Sequence, residues 1–350
     1  MKTIKFLSFI VGIGLMASCS KSSSPSAVSP SSAQQTFSTV NTDVSAAISG
    51  LSSAPGNVAL NSFASLNSTS SPFGRFHSFS DLRKPSDVKA AMGAGAAAIR
   101  SMLVKTTSNG RVAGSSFNFN DKIGTYTWSK ENHKWNYTSG GGIIKIDYPS
   151  DTSSATNDTE LQITAYTEVQ VGSDYYPTDI EAAIYQPIGG AKQLGLTFKA
   201  SGYDDTGSPN KVSVSLYINP YTISFSVDDS QSASTTESFS FSQGSTTYIG
   251  TSATATYASA ADKTNGNSPA SATGYLQLEN TRFDIAIDYT KAATATSQND
   301  YITITVTING GLAGHVVWVA DQNGDEQPYV QYNDKFMNHC QLFLAIYKVN

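Results

Sequence analysis

The sequence predicts a mainly β protein of the α+β kind: a large antiparallel meander sheet, or a sandwich or half-barrel made from one, with an N-terminal helical segment packed on it. Two observations carry this. Apolar residues recur at spacings of three and four up to about residue 105, and at every second position after Gly110. Three separate segments, folded as hairpins, each sort their residues into one apolar and one hydroxylic face. Composition supplies a third. Charged residues make up 14%, against about 25% in an ordinary soluble domain. Ser (51) and Thr (35) together outnumber the 49 charged side chains.

These numbers exclude some functions. A net charge of −5 offers no basic field for nucleic acid, so none is expected as a partner. Charge this sparse is not the signature of an acidic disordered chain. With 39% hydrophobic and 11% aromatic residues over 350 positions, there is ample apolar surface for a core.

In chain order, the first element is a targeting segment. Met1 to Lys5 carries two lysines, Phe6 to Met16 is apolar, and Ala17-Ser18-Cys19 follows. The apolar run is too short to span a bilayer as a helix, so residues 1–18 read as a signal peptide. Leu15-Met16-Ala17-Ser18-Cys19 resembles the lipobox of bacterial lipoproteins. That resemblance implies lipidation of Cys19, a membrane partner through the N-terminal lipid anchor and, with Ser20 in place of Asp after the cysteine, sorting to the cell outer membrane. Residues 19–35 are rich in Ser and read as a solvated tether. If Cys19 is acylated, Cys340 has no intrachain partner; it reads as a buried, inert thiol.

Residues 36–110 read as helical. Phe37, Val40, Val44, Ile48 and Leu51 form one stripe. A second helix is expected from Ser86, which follows Pro85 as an N-cap, and Ser52 to Leu82 reads as loop with one short helical turn.

Residues 111–350 form the β domain, and 36–350 is expected to fold as one unit. In Leu161 to Val171 the positions of Leu161, Ile163, Ala165, Val169 and Val171 alternate with polar ones, which predicts one dry and one wet face. No helices intervene for parallel crossovers, so an antiparallel meander is expected. Paired residues of an antiparallel hairpin have a constant index sum. A sum of 263 pairs Trp128 with Trp135 and Tyr126 with Tyr137. A sum of 441 pairs Ile218 with Ile223, with Pro220-Tyr221 at the turn. A sum of 561 pairs Leu278 with Phe283 and sets Glu279 against Arg282 around Asn280-Thr281. Much of the Ser and Thr thus falls on a wet sheet face, where Thr keeps β-propensity.

Few residues suggest chemistry. The quartet Tyr126, Trp128, Trp135 and Tyr137 is either a platform for stacking sugar rings or, since the other hairpin face is polar, core. Asp321, Asn323 and Asp325 around Gly324 are spaced like the start of a Ca²⁺ loop, with Asp334 as a distal oxygen; the alternative is a hairpin turn between His315–Ala320 and Pro328–Asn333. Asp284 and Asp288, like Asp179 and Glu181, lie along single strands and do not converge as a glycosidase pair would. The four histidines are scattered, and Gly140-Gly141-Gly142, with no Lys-Ser/Thr after it, reads as a turn or bulge. No catalytic residue is assigned and no cofactor beyond Ca²⁺ is indicated.

The expectation is therefore an outer-membrane-anchored lipoprotein without enzymatic activity, binding a glycan or an envelope protein. One alternative is a carrier of lipid or another hydrophobic ligand, similar in architecture to the LolA and LppX types; another is a glycan-active enzyme.

Overall fold

The computed structural model describes residues 28–59, 117–151, 153–205, 207–332 and 337–339. The segment read as a signal peptide, Cys19, most of the tether, the helix expected at Ser86, Asp334 and Cys340 lie outside these residues. The chain divides into two compact units, one of residues 1–48 and 227–350 and the other of residues 49–226. The protein is mainly β, with sixteen strands assigned to one sheet and a helix at the N-terminal side of the described chain.

Helix α1 spans Pro30–Ser52, so it begins six residues before the helical segment expected from residue 36 and takes in the end of the segment read as a tether. Two local features explain the start. Ser29 Oγ accepts from the Ser32 backbone N–H at 3.2 Å, and Pro30 fills the first helical position, where a missing N–H costs nothing. The buried stripe is Ala33, Phe37, Val40, Val44 and Ala47, whereas Ile48 is 51% exposed, so the stripe drifts from the expected one by one residue in its last turn. The stripe packs on the sheet: the rings of Phe37 and Phe283 lie stacked with centroids 6.2 Å apart.

In the 49–226 unit the strands are β1 (Gly124–Ser129), β2 (Lys134–Ser139), β3 (Ile144–Tyr148), β4 (Thr159–Val171), β5 (Asp174–Gln186), β6 (Ala191–Tyr203), β7 (Pro209–Ile218) and most of β8 (Tyr221–Asp228), in the order β2-β1-β3-β4-β5-β6-β7-β8. The meander has one exception. β3 runs parallel to β1, with Gly124 opposite Ile144, because β2 lies on the outer side of β1 and the chain must pass the end of β1 to reach β3. Gly140, Gly141 and Gly142, all at positive φ, make that passage. A parallel pair thus arises without a crossover helix. The apolar face here is covered in part by residues 55–59. A Cβ on Gly56 would come within 2.3 Å of the Gln193 carbonyl oxygen, and the buried Tyr148 hydroxyl donates to the Ala59 carbonyl at 3.2 Å.

In the other unit the strands are β9 (Ser234–Gln243), β10 (Thr246–Thr256), β11 (Ser271–Leu278), β12 (Thr281–Asp288), β13 (Ile302–Ile308), β14 (Gly311–Ala320), β15 (Glu326–Tyr332) and β16 (Met337–His339), neighbours in sequence order and antiparallel. Its core runs through Leu276, Phe283, Val306 and Val330.

The hairpin registers divide instructively. β1 and β2 pair as expected, Trp128 with Trp135 and Tyr126 with Tyr137. β11 and β12 are shifted by two: Leu276 faces Phe283, Leu278 faces Thr281, and the turn is Glu279-Asn280, with Glu279 at φ 49°. β7 and β8 leave Asn219-Pro220 as the turn, one residue before the expected pair, and the Ser215 and Ser224 hydroxyls meet at 3.5 Å. A two-residue slip keeps every side chain on its face, so alternation alone does not fix it. β4 departs further. Its register against β5 shifts between Ile163 and Ala165 and again between Thr167 and Glu168, so Tyr166 turns inward to 5% exposure opposite Ile180, and Val169 is 38% exposed.

Candidate functional site

The aromatic quartet sits on the β1–β2 hairpin, at the β2 end of its unit's strand order. Its members differ. Trp128 is 7% exposed and belongs to the core, Tyr126 and Trp135 are half-buried, and Tyr137 is 51% exposed. The ring pairs Tyr126–Tyr137 and Trp128–Trp135 stand 5.0 and 5.1 Å apart. The Tyr137 ring rests on Gly124, where a Cβ would come 2.5 Å from Cε2, and its hydroxyl donates to the Ile123 carbonyl at 2.8 Å. The quartet is thus divided: Trp128 fills the core, whereas Tyr137 presents an exposed ring held by its hydroxyl bond.

The loop Asp321–Asp325 joins β14 to β15, with Ala320 paired to Glu326. Asp321 Oδ1 accepts from the backbone N–H groups of Asn323 (2.8 Å) and Asp325 (3.0 Å), and Gly324 takes φ 86°. The carboxylate at the first Ca²⁺ position thus closes the turn through backbone donors. Among the described residues no group of three or more His, Cys, Asp or Glu is placed to hold a metal ion.

The acidic residues along single strands are paired with bases. Lys199 Nζ lies 3.0 Å from Asp179 and 3.5 Å from Glu181. Arg282 Nε donates to Asp284 Oδ1 at 2.8 Å, whereas Asp288 binds Lys291 at 2.9 Å and caps the short helix α3 (Tyr289–Ala292) through the Thr290 N–H.

One constellation escaped the sequence reading. On the polar face of β3 and β4, Asp147 stands opposite Glu160. Glu160 is 3% exposed and takes Lys145 Nζ at 2.9 Å, with Gln162 Nε2 on its other oxygen. Asp147 Oδ1 is buried without a hydrogen-bond partner among the described residues. Burial, and secondarily the Glu160 charge, raise the Asp147 pKa above the usual carboxylate range against the pull of Lys145. Only the β3–β4 register brings the two acids together, thirteen positions apart in the chain. The first visible signal was the alternation of Lys145 and Asp147 with Ile144, Ile146 and Tyr148.

The polar face of β9–β15 carries the hydroxyl groups in rows. One row runs Thr236, Thr254, Thr273, Ala286, Thr303 across five strands, and the Thr236 and Thr254 hydroxyls meet at 2.9 Å. The next runs Ser238, Ser252, Tyr275, Asp284, Thr305, His315. The row beyond it carries Gln277, Arg282 and Thr307. Neighbouring members are one strand spacing apart, about 4.8 Å. The Arg282 guanidinium lies over the Tyr275 ring, 3.8 Å from its centroid. Such a surface offers many neutral donors and acceptors and one stacked cation. No helix among the described residues is long and apolar enough to cross a membrane. Compared with protein families, with curated proteins and with solved structures, the chain matches none.

Proposed function

We propose that this is a lipid-anchored protein of the bacterial cell envelope, attached to the outer membrane through Cys19, whose hydroxyl-rich sheet face binds a glycan without catalysis. The observation that carries the binding reading is the ordered placement of Thr, Ser, Tyr and Gln in adjacent rows on β9–β15, opposite a face packed by α1. A hydroxylic face of low charge exchanges hydrogen bonds with water for hydrogen bonds with sugar hydroxyls at little desolvation cost, where a face of Lys and Glu would not. The half-exposed Tyr137 ring adds a stacking surface in the other unit. Burial of Phe37, Val40 and Val44, with the Phe37 ring stacked on Phe283, favours this reading over a carrier of hydrophobic ligand, which needs room between helix and sheet.

Two measurements test it. Growth with an alkyne fatty acid followed by fractionation should label the wild-type chain in the outer membrane and leave a Cys19→Ala chain unlabelled and released. Purified protein should co-sediment with insoluble envelope polysaccharide from its host. Labelling that persists in Cys19→Ala overturns the anchor, and protein that stays in the supernatant with every polysaccharide fraction overturns glycan binding.

A further inference from the structure

We propose that the face of β11–β13 holds a site for a carboxylate-bearing sugar, a uronate residue of an acidic glycan, gripped by the Arg282 guanidinium. The inference rests on the glycan-binding reading and names the class of glycan.

Arg282 is built in place rather than left to wave in solvent. Its guanidinium stacks on Tyr275, its Nε is engaged by Asp284, and its side chain is nevertheless 41% exposed. Those contacts leave both Nη groups without a partner among the described residues. An arginine with its rotamer fixed and its terminal donors free has already lost much of the side-chain entropy that binding would otherwise cost. Two parallel N–H groups match the two oxygens of a carboxylate.

The surroundings select among anions. Thr307 stands opposite Arg282 on β13, and its hydroxyl, like that of Tyr275, has no partner among the described residues. Gln277, opposite on β11, spends its Nε2 on the Glu279 carbonyl, which leaves its oxygen as an acceptor. Thr305 and His315 approach to 3.4 Å beyond Asp284. These groups suit the hydroxyls that flank the carboxylate of a uronate. Asp284 beside the guanidinium opposes a dianion such as a phosphate monoester more than a monoanion, and the rows supply no second lysine or arginine to offset it. Asp284 is also an acceptor for a sugar hydroxyl.

The test compares polygalacturonate, the same polymer with its carboxylates methyl-esterified, and dextran, by calorimetry or affinity electrophoresis with the intact chain. Wild type should bind the free acid at least about ten-fold more tightly than the ester, the size of one charge-assisted bidentate contact. Arg282→Met should remove that preference and Arg282→Lys restore only part of it, both with an unchanged melting temperature. Thr307→Val should weaken the acid form less than Arg282→Met does. Equal binding of acid and ester, acid binding undiminished in Arg282→Met, or no binding of any of the three polymers overturns the uronate site. The sedimentation with host polysaccharide reads the broader glycan proposal separately, so the two can fail independently.

Discussion

Asp147 and Glu160 face each other directly across β3 and β4, two carboxyl groups of which Glu160 takes Lys145 at 2.9 Å and has water largely shut out. Asp147 has its pKa raised by burial first and by the Glu160 charge second. The sign follows from linkage. The unfolded chain releases this proton at the ordinary carboxylate pKa and the folded one only at higher pH, so the contribution of Asp147 to stability is complete below the unfolded value and is lost as pH rises through the folded one. Wild type should therefore lose melting temperature as pH rises above the ordinary carboxylate range. Asp147→Asn should flatten that dependence and raise the melting temperature at pH 7 by a few degrees. A variant with the same pH dependence as wild type would sink the assignment.

Lys263 plays a different part, as a cation enclosed by its own chain. It sits in the five-residue helix α2 (Ala260–Thr264), is 10% exposed, lies 2.8 Å from the Asp229 carboxylate and donates to the carbonyls of Asp229 (2.9 Å), Ser234 (2.8 Å) and Gln231. Lys263→Met keeps the length of the side chain and deserts those acceptors together. The expected cost is about 2 kcal/mol, the scale of hydrogen bonds to a charged group, discounted because Asp229 is partly exposed. Chemical denaturation reads it; a midpoint shift no larger than that of a surface lysine variant would show the enclosure to be incidental.

What was legible in the sequence follows from what each signal encodes. Alternation encodes the face, and the faces of Phe283, Ile285 and Ile287 were readable at once. It encodes register only modulo two, so the two-residue offset of β11 against β12 is set by the Glu279-Asn280 turn and not by the alternation. The opposite lesson comes from β13 and β14. Asn309-Gly310, both at positive φ, form a two-residue turn whose dipeptide is among the strongest hairpin signals, and it was there to be read. The inward turn of Tyr166 had no local signal. It depends on the bulges of β4 against β5 and on Phe117, distant in the chain, whose ring meets that of Tyr166 edge-on and whose backbone N–H donates to Glu168, the acceptor of the Tyr166 hydroxyl. The Asp147–Glu160 pair was hidden for the same reason, and the surroundings of Arg282 were half visible: Arg282 and Asp284 alternate on one strand, but the stacking of Arg282 on Tyr275 needed the register.

The drift of the α1 stripe gives a paired prediction. Phe37 is 7% exposed and stacked on the fully buried Phe283, whereas Ile48, four residues on from buried Val44, is 51% exposed. Phe37→Ala should cost about 3 kcal/mol, a transfer loss plus a cavity against the sheet. Ile48→Ser should change stability by no more than roughly 0.5 kcal/mol, as expected of an exposed site, less a small helix-propensity cost. Comparable losses in both variants would mean that α1 presents a different stripe from the one seen.

Gly124 decides whether Tyr137 is a fixed ring or a free one. Its φ of 151° disfavours a side chain, and a Cβ there would meet the Tyr137 ring at 2.5 Å and the Thr138 carbonyl at 2.6 Å. The backbone oxygen belongs to the paired strand and yields little, so Gly124→Ala must lift the ring, separate the strands at this end or do both. Either outcome breaks the Tyr137 hydroxyl's bond to Ile123 and loosens the Tyr126–Tyr137 contact. The expected result is a loss of at least about 1 kcal/mol together with a change in near-ultraviolet circular dichroism. Tyr137→Phe separates the two effects. It keeps the ring on Gly124 and deletes only the exposed hydroxyl's bond, so it should cost under about 1 kcal/mol and leave the aromatic signal in place. If Gly124→Ala left both stability and the aromatic spectrum unchanged, the ring would not be held against the strand, and Tyr137 would offer a sugar no pre-ordered face.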